Sequence, residues 1–263
     1  MDPQFELKWR EARRLENSGD VQTAKKIYED LIQQDPHRLY VRIRLSSIAI
    51  SENQYRLARM HALACAEEVR ATRWKDLAPV CKLLLSFSER DLVKELICGA
   101  DWSHPDIVRT AASLSQYLWL IEEVELALEF IDTVCKRAQP NALLLYSRAT
   151  ALGYLGRMNE ATEEFERCLS LDPMEPHVHW SLAYHQKANP VHARLPRLTA
   201  VQRQFPQDAP EQAFLHYALF KEYDNANDVE NAWHHLIQGA AIKRSQIVGY
   251  SSSAEEHGFD HLI

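Results

Sequence analysis

Residues 142–174 read ALLLYSRATALGYLGRMNEATEEFERCLSLDPM, and this stretch decides the fold. Leu152-Gly153-Tyr154-Leu155-Gly156-Arg157 stops one helix and starts the next, because glycine takes the positive φ that a helix C-cap or tight turn requires. Ala161 then sits early in the second helix, where a methyl group lets the two axes cross closely and a larger side chain would separate them. Phe165 follows four residues later on the same face. Asp172-Pro173 ends the unit, since proline lacks an N–H and restricts the residue before it.

The same skeleton stands near the start of the chain as Gly19, Ala24, Tyr28 and Asp35-Pro36, with all four correspondences offset by 137 residues. That offset is four periods of 34 plus one, and intermediate copies fill it. Ala24 to Ala58 is 34, Ala58 to Ala127 is 69, Ala127 to Ala161 is 34, and Ala161 to Ala232 is 71. Four residues beyond each alanine stand Tyr28, Ala62, Ile131, Phe165 and Leu236. A period near 34 marks a stack of two-helix units.

The pattern predicts an all-α chain of about seven helix pairs, over 5–37, 39–72, 75–100, 105–139, 142–174, 175–206 and 210–244. The third pair, with helices expected over Lys75–Phe87 and Glu89–Cys98, lacks both the glycine and the alanine. In the sixth, Asn189-Pro190 is read as ending the first helix, and Pro196 kinks the second unless it lies in the first turn. Residues 1–244 are therefore assigned to one repeat solenoid, with no glycine- or serine-rich linker dividing it. Tyr250-Ser251-Ser252-Ser253-Ala254 breaks the periodicity, so 245–263 is read as a capping helix, centred on Glu255–Ile263, or as the start of a linker to a further domain.

Leu145, Ala149, Leu152, Gly156, Ala161, Phe165 and Pro173 together resemble the tetratricopeptide repeat, as does the copy from Phe5 to Pro36. The resemblance implies a right-handed alpha-alpha superhelix whose inner groove binds peptides or protein segments. Carried onto this sequence, it places Trp9, Arg13, Ile43, Ser47, Gln116, Trp119, Tyr146, Thr150, Tyr154, Trp180, Tyr184, Tyr217 and Lys221 on inward positions. Of these, Trp119, Tyr146, Tyr154, Trp180, Tyr184, Tyr217 and Lys221 are the groove candidates, because large aromatics with few rotors suit recognition. The alternative is that part of this stripe packs between neighbouring copies. The family's carboxylate clamp uses Lys and Asn at inner positions held here by Trp9, Arg13, Ile43 and Ser47, so recognition of a free peptide C-terminus by that device is not expected.

The last copy, His216 to Asp224 with Ala232-Trp233-His234-His235-Leu236 and Gly239-Ala240-Ala241, is similar to the final repeat of bacterial tetratricopeptide–sulfotransferase fusions. That similarity implies a second role, as an N-terminal module that positions or regulates an attached C-terminal domain.

Composition narrows the remaining classes. A chain of 263 residues with 46% hydrophobic and 25% charged residues is neither disordered nor collagen-like. No apolar run approaches a bilayer span, and charges from Glu6 to Arg14 interrupt any signal-like core, so a cytoplasmic protein with no membrane contact is expected. Net charge runs from +3 over 1–75 to -4 over 76–205 and -6 over 206–263, without the basic stripe that nucleic acid requires. Cys65, Cys81, Cys98, Cys135 and Cys168 are scattered and form no CxxC pair. Cys65 and Cys168, each seven residues beyond a close-contact alanine, read as small buried hydrophobes. His177 and His179 diverge on a helix, as do His234 and His235, and read as surface or packing groups. No phosphate-binding glycine loop occurs, and no catalytic residue, cofactor or metal is expected.

Overall fold

The computed structural model describes residues 3–70 and 74–247. Among these the chain is helical throughout, with fourteen α-helices, one 3₁₀ turn and no strand. Packing divides the chain into two compact units, up to Gln139 and from Pro140 on. The first holds α1 (Pro3–Asn17), α2 (Val21–Gln34), α3 (Leu39–Ser51), α4 (Tyr55–Val69), α5 (Leu77–Leu85), α6 (Arg90–Cys98), α7 (Pro105–Leu120) and α8 (Val124–Arg137). The second holds α9 (Ala142–Tyr154), α10 (Met158–Leu171), α11 (Pro176–His185), α12 (Leu195–Gln202), α13 (Gln212–Asn225) and α14 (Val229–Ser245). Most pairs are joined by short turns, which force the two helices to lie antiparallel.

One device recurs at the turn inside each helix pair. Gly19, Asn53, Ser88, Glu122, Gly156, His192 and Asn227 all have φ between 58° and 92°, spaced 34 to 36 residues apart. In six of the seven, the next residue's N–H returns to the carbonyl five residues back. The donors are Asp20, Gln54, Glu89, Glu123, Arg157 and Asp228, with N···O of 2.8–3.2 Å. This bond caps a carbonyl of the closing helix. His192 is the exception, its neighbour Ala193 bonding to Pro190 instead. The left-handed position thus lies in every copy, although only two copies fill it with glycine; a non-glycine residue there costs roughly 1–2 kcal/mol.

Five residues beyond that position lies the close contact. Ala24, Ala58, Ala127 and Ala161 are fully buried and Ala232 nearly so. The third copy, which lacks the alanine as expected, has Val93 there, also fully buried, so the close contact is made by a larger residue. The partner helix offers a small residue twelve positions earlier, namely Ala12, Ser46, Ser115 and Ala149. The Ser46 and Ser115 hydroxyls donate to the Ala58 and Ala127 carbonyls at 2.8 and 3.4 Å, which satisfies two buried polar groups. Cys65 and Cys168 are buried, each donating to a carbonyl 26 residues back, at Leu39 and Ala142. Burial pushes their thiols up, to about 12 and about 11.

The irregular copies differ in detail from the sequence pattern. A 3₁₀ turn at Trp74–Asp76 replaces the start of the expected helix, and α5 begins at Leu77. Helix α11 stops at His185, four residues before Asn189-Pro190, so the proline does not itself end it. Pro196 lies in the first turn of α12, where a missing N–H has no helical partner to lose. Helix α14 ends at Ser245, and the expected capping segment lies, from residue 248, outside the described residues.

Second helices reach the following copy through one register position. The residues just past the close contacts in four copies, Lys25, Arg59, Lys94 and Thr162, bond to Glu52, Glu89, Glu123 and Gln186 respectively. Exposed ion pairs of this kind contribute little stability singly.

Candidate functional site

Six of the seven groove candidates lie in the second unit: Tyr146 and Tyr154 on α9, Trp180 and Tyr184 on α11, Tyr217 and Lys221 on α13. Within α11 and α13 each pair is spaced four residues, which places both members on one helical face. The structure gathers the α11 and α13 residues. The Trp180 ring centroid stands 5.4 Å from that of Tyr184 and 6.0 Å from that of Phe214, edge-on to the latter. The His177 ring centroid lies 4.0 Å from that of Phe214, and the Lys243 ammonium sits 4.3 Å from the centroid of the same ring. These four aromatic rings form one string from α11 to α13.

Tyr184 closes the string toward solvent, 44% exposed. Its phenol is pushed up by burial first, then by the neighbouring Tyr217 phenol and Asp224 carboxylate. Lys221 Nζ donates to Asp224 Oδ2 at 2.9 Å, so the edge of the cluster carries both charges. Tyr217 lies against α14, where a Cβ on Gly239 would stand 3.0 Å from its ring. Glycine at that position lets α13 and α14 approach with the ring between them.

Behind the cluster is an ion pair that the sequence reading did not single out. Arg194 donates to Glu222 Oε1 at 3.0 Å and to the carbonyls of Leu182 and Gln186 at 3.1 and 2.7 Å. Their side chains are 11% and 1% exposed. The guanidinium holds the C-terminal end of α11, and with it Tyr184, against α13. Phe214, His177 and Lys243 were also missed. Phe214 had a signal, since it stands three residues before Tyr217 on the same face.

Of the other candidates, Tyr146 lines one hollow with His177, while Tyr154 and Trp119 are not among the residues in contact with this cluster. Tyr146 is half-buried among α9, α10 and α11, its ring 5.8 Å from Phe165 and its hydroxyl 3.2 Å from Ser181 Oγ. Tyr154 is exposed at the last position of α9. Trp119 is half-buried on α7, in the first unit.

The histidines divide as their surroundings dictate. His179 is buried, its ring bonded to the Pro173 carbonyl at 2.9 Å, while His177 is exposed beside Glu175. His216 and His235 share a hydrogen bond between Nδ1 atoms at 2.9 Å, and His235 stacks on Tyr223. Burial, with His216 and His234 adjacent, pushes His235 down to about 4. Among the described residues no three His, Cys, Asp or Glu side chains are placed to hold a metal ion, and no helix is long and apolar enough to cross a membrane.

Comparison with known proteins defines the class. Residues 142–173, spanning α9 and α10, match the family model of the tetratricopeptide repeat. The fold is that of tetratricopeptide repeat proteins. The C-terminal part of a TPR repeat-containing protein from Cytophaga hutchinsonii superposes with a TM-score of 0.57, covering 94% of this chain and 98% of that one at 14% identity. A tetratricopeptide repeat protein from Parabacteroides merdae gives 0.62, covering 96% of each chain at 12% identity. Among curated proteins none matches this chain.

Proposed function

We propose that the chain is a non-catalytic scaffold that binds a segment of another protein across the first-helix face of its second unit. The observation that carries this reading is the aromatic string of His177, Phe214, Trp180 and Tyr184, drawn from two successive copies and ending at an exposed tyrosine beside Lys221 and Asp224. Tyrosine and tryptophan flanked by a charge pair supply wide contact area with little side-chain entropy to lose, which suits a peptide laid along the helices. Peptides selected against the intact chain from a displayed random library test it. Tyr184→Ala should weaken the selected peptides by about 2 kcal/mol, roughly thirtyfold, with the melting temperature unchanged. Equal binding by wild type and Tyr184→Ala would remove the site.

A second reading rests on the residues of the last copy that are similar to sulfotransferase-linked repeats, His216 to Asp224 and Ala232 to Leu236. On it, the same helices hold an attached catalytic domain. Extending the coding sequence past residue 263 tests this directly: a phosphate-loop domain supports it, and a stop codon removes it.

A further inference from the structure

A hollow of about 350 Å³ lies where the start of α9, the end of α10 and the start of α11 meet. Its size stands at the low end of binding hollows, which span roughly 300–1,000 Å³, so it suits side chains rather than a large ligand. Small residues leave the room. Ala142 and Cys168, whose thiol donates to the Ala142 carbonyl at 3.1 Å, line it beside Tyr146 and Val178. Leu143 stands in its wall, 61% exposed. His177 belongs both to this hollow and to the aromatic string, so the two surfaces are continuous.

The remaining two lining residues are acidic. Asp172 Oδ1 accepts from the Met174 N–H at 3.2 Å. Glu175 Oε1 accepts from the His177 N–H at 3.2 Å and shares a bond with the His177 ring at 2.8 Å. Among the described residues neither acid pairs with a lysine or arginine, and the second oxygens, Asp172 Oδ2 and Glu175 Oε2, carry no hydrogen bond. Their settings differ. Asp172 follows the last turn of α10, whose carbonyl end adds partial negative charge, whereas Glu175 caps α11, whose N-terminal end offsets its charge. Asp172 is therefore the stronger cation site, and a cation held against an apolar wall is screened less than one in open water.

Resting on the reading that this face binds a protein segment, we propose that the segment sets a large apolar side chain in the hollow and a neighbouring lysine or arginine against Asp172 and Glu175. Extended residues rise about 3.3 Å each, so side chains one or two positions apart reach both features. A chain of net charge -7 attracts such a basic segment and repels an acidic one.

The peptides selected against the intact chain from the displayed library test the proposal when synthesised and titrated by fluorescence anisotropy. They should carry lysine or arginine within two positions of a large apolar residue more often than the unselected library. Lys→Gln in such a peptide should weaken binding about fivefold, the upper end for an exposed ion pair. Asp172→Asn/Glu175→Gln in the protein should do the same, and the two losses should not add. Both substitutions keep a side-chain oxygen for the Met174 and His177 N–H groups, so the melting temperature should hold. Leu143→Ser should weaken every selected peptide. Equal binding of the Lys and Gln peptides, or selection of neutral or acidic ones, would overturn the proposal while leaving the Tyr184 site standing if Tyr184→Ala still weakens them. Sensitivity to Asp172→Asn/Glu175→Gln without sensitivity to Tyr184→Ala would instead remove the aromatic string and keep the hollow. A dimer in sedimentation that Leu143→Ser dissociates would make a second copy the occupant and overturn the proposal as well.

Discussion

Removing Arg194 tests the arrangement of the second unit most directly. The guanidinium makes three hydrogen bonds, to Glu222 Oε1 and to the Leu182 and Gln186 carbonyls, and is almost wholly enclosed. In Arg194→Met the aliphatic stem is roughly replaced, but Glu222 keeps its carboxylate, 1% exposed, without its cation. Among the described residues Glu222 Oε2 has no hydrogen-bond partner, so the Arg194 bond to Oε1 is the contact the substitution removes. Breaking a buried pair from one side costs about 3–5 kcal/mol. Removing both members with Arg194→Met/Glu222→Leu should recover most of that loss, because an apolar pair of similar volume is often neutral. Urea unfolding followed by far-UV circular dichroism on wild type, both single variants and the double gives the coupling energy as a cycle. Peptide binding should fall in Arg194→Met and stay low in the double variant, since neither restores the bonds that hold the α11 terminus. A loss under about 1 kcal/mol in Arg194→Met, typical of an exposed pair, would refute the reasoning. So would a double variant as unstable as the single.

Ala24→Leu and Ala161→Leu should each destabilise by about 1–3 kcal/mol, because both methyl groups are fully buried at helix crossings; unchanged thermal melts would reject the close-contact register. His235 is held below the ordinary imidazole value, to about 4, chiefly by burial. The unfolded chain therefore binds the extra proton first as pH falls from about 6.5, and stability present above that pH is lost toward pH 4. His235→Phe should flatten this part of the stability–pH curve, measured by urea titrations at successive pH values. Native protein treated with a thiol-reactive aromatic disulfide should label the exposed Cys98 well before the buried Cys65, Cys81 and Cys168, which react only on unfolding; peptide mapping reads the order.

The periodicity of this protein is local information, which is why it is legible without a structure. A glycine that permits positive φ, an alanine five residues on, a large residue four beyond that and a proline at the exit each act within one turn or one helix crossing. Gly19, Ala24, Tyr28 and Pro36 therefore announce the same unit as Gly156, Ala161, Phe165 and Pro173. Where a copy fills the same geometry with other residues, the signal fades. Ser88, Glu122 and His192 adopt the left-handed turn, and Val93 takes the close contact, because surrounding packing outweighs a local cost of a kcal/mol or two. No rule of local preference selects those residues.

The candidate surface divides along the same line. Helical spacing alone puts Trp180 with Tyr184 and Tyr217 with Lys221. Whether an aromatic on such a face meets solvent or a neighbour depends on residues a full copy away. Phe165 and Ser181 engage Tyr146, while Tyr184, against Trp180, stays 44% exposed. The bond from Arg194 to Glu222 spans 28 residues, and the contact of Tyr217 with Gly239 spans two helices. Sequence by itself determined the repeat, the helix pairs and the faces. Only the tertiary structure decided which side chains those faces bury, because burial is set by what the stacked neighbour places opposite them.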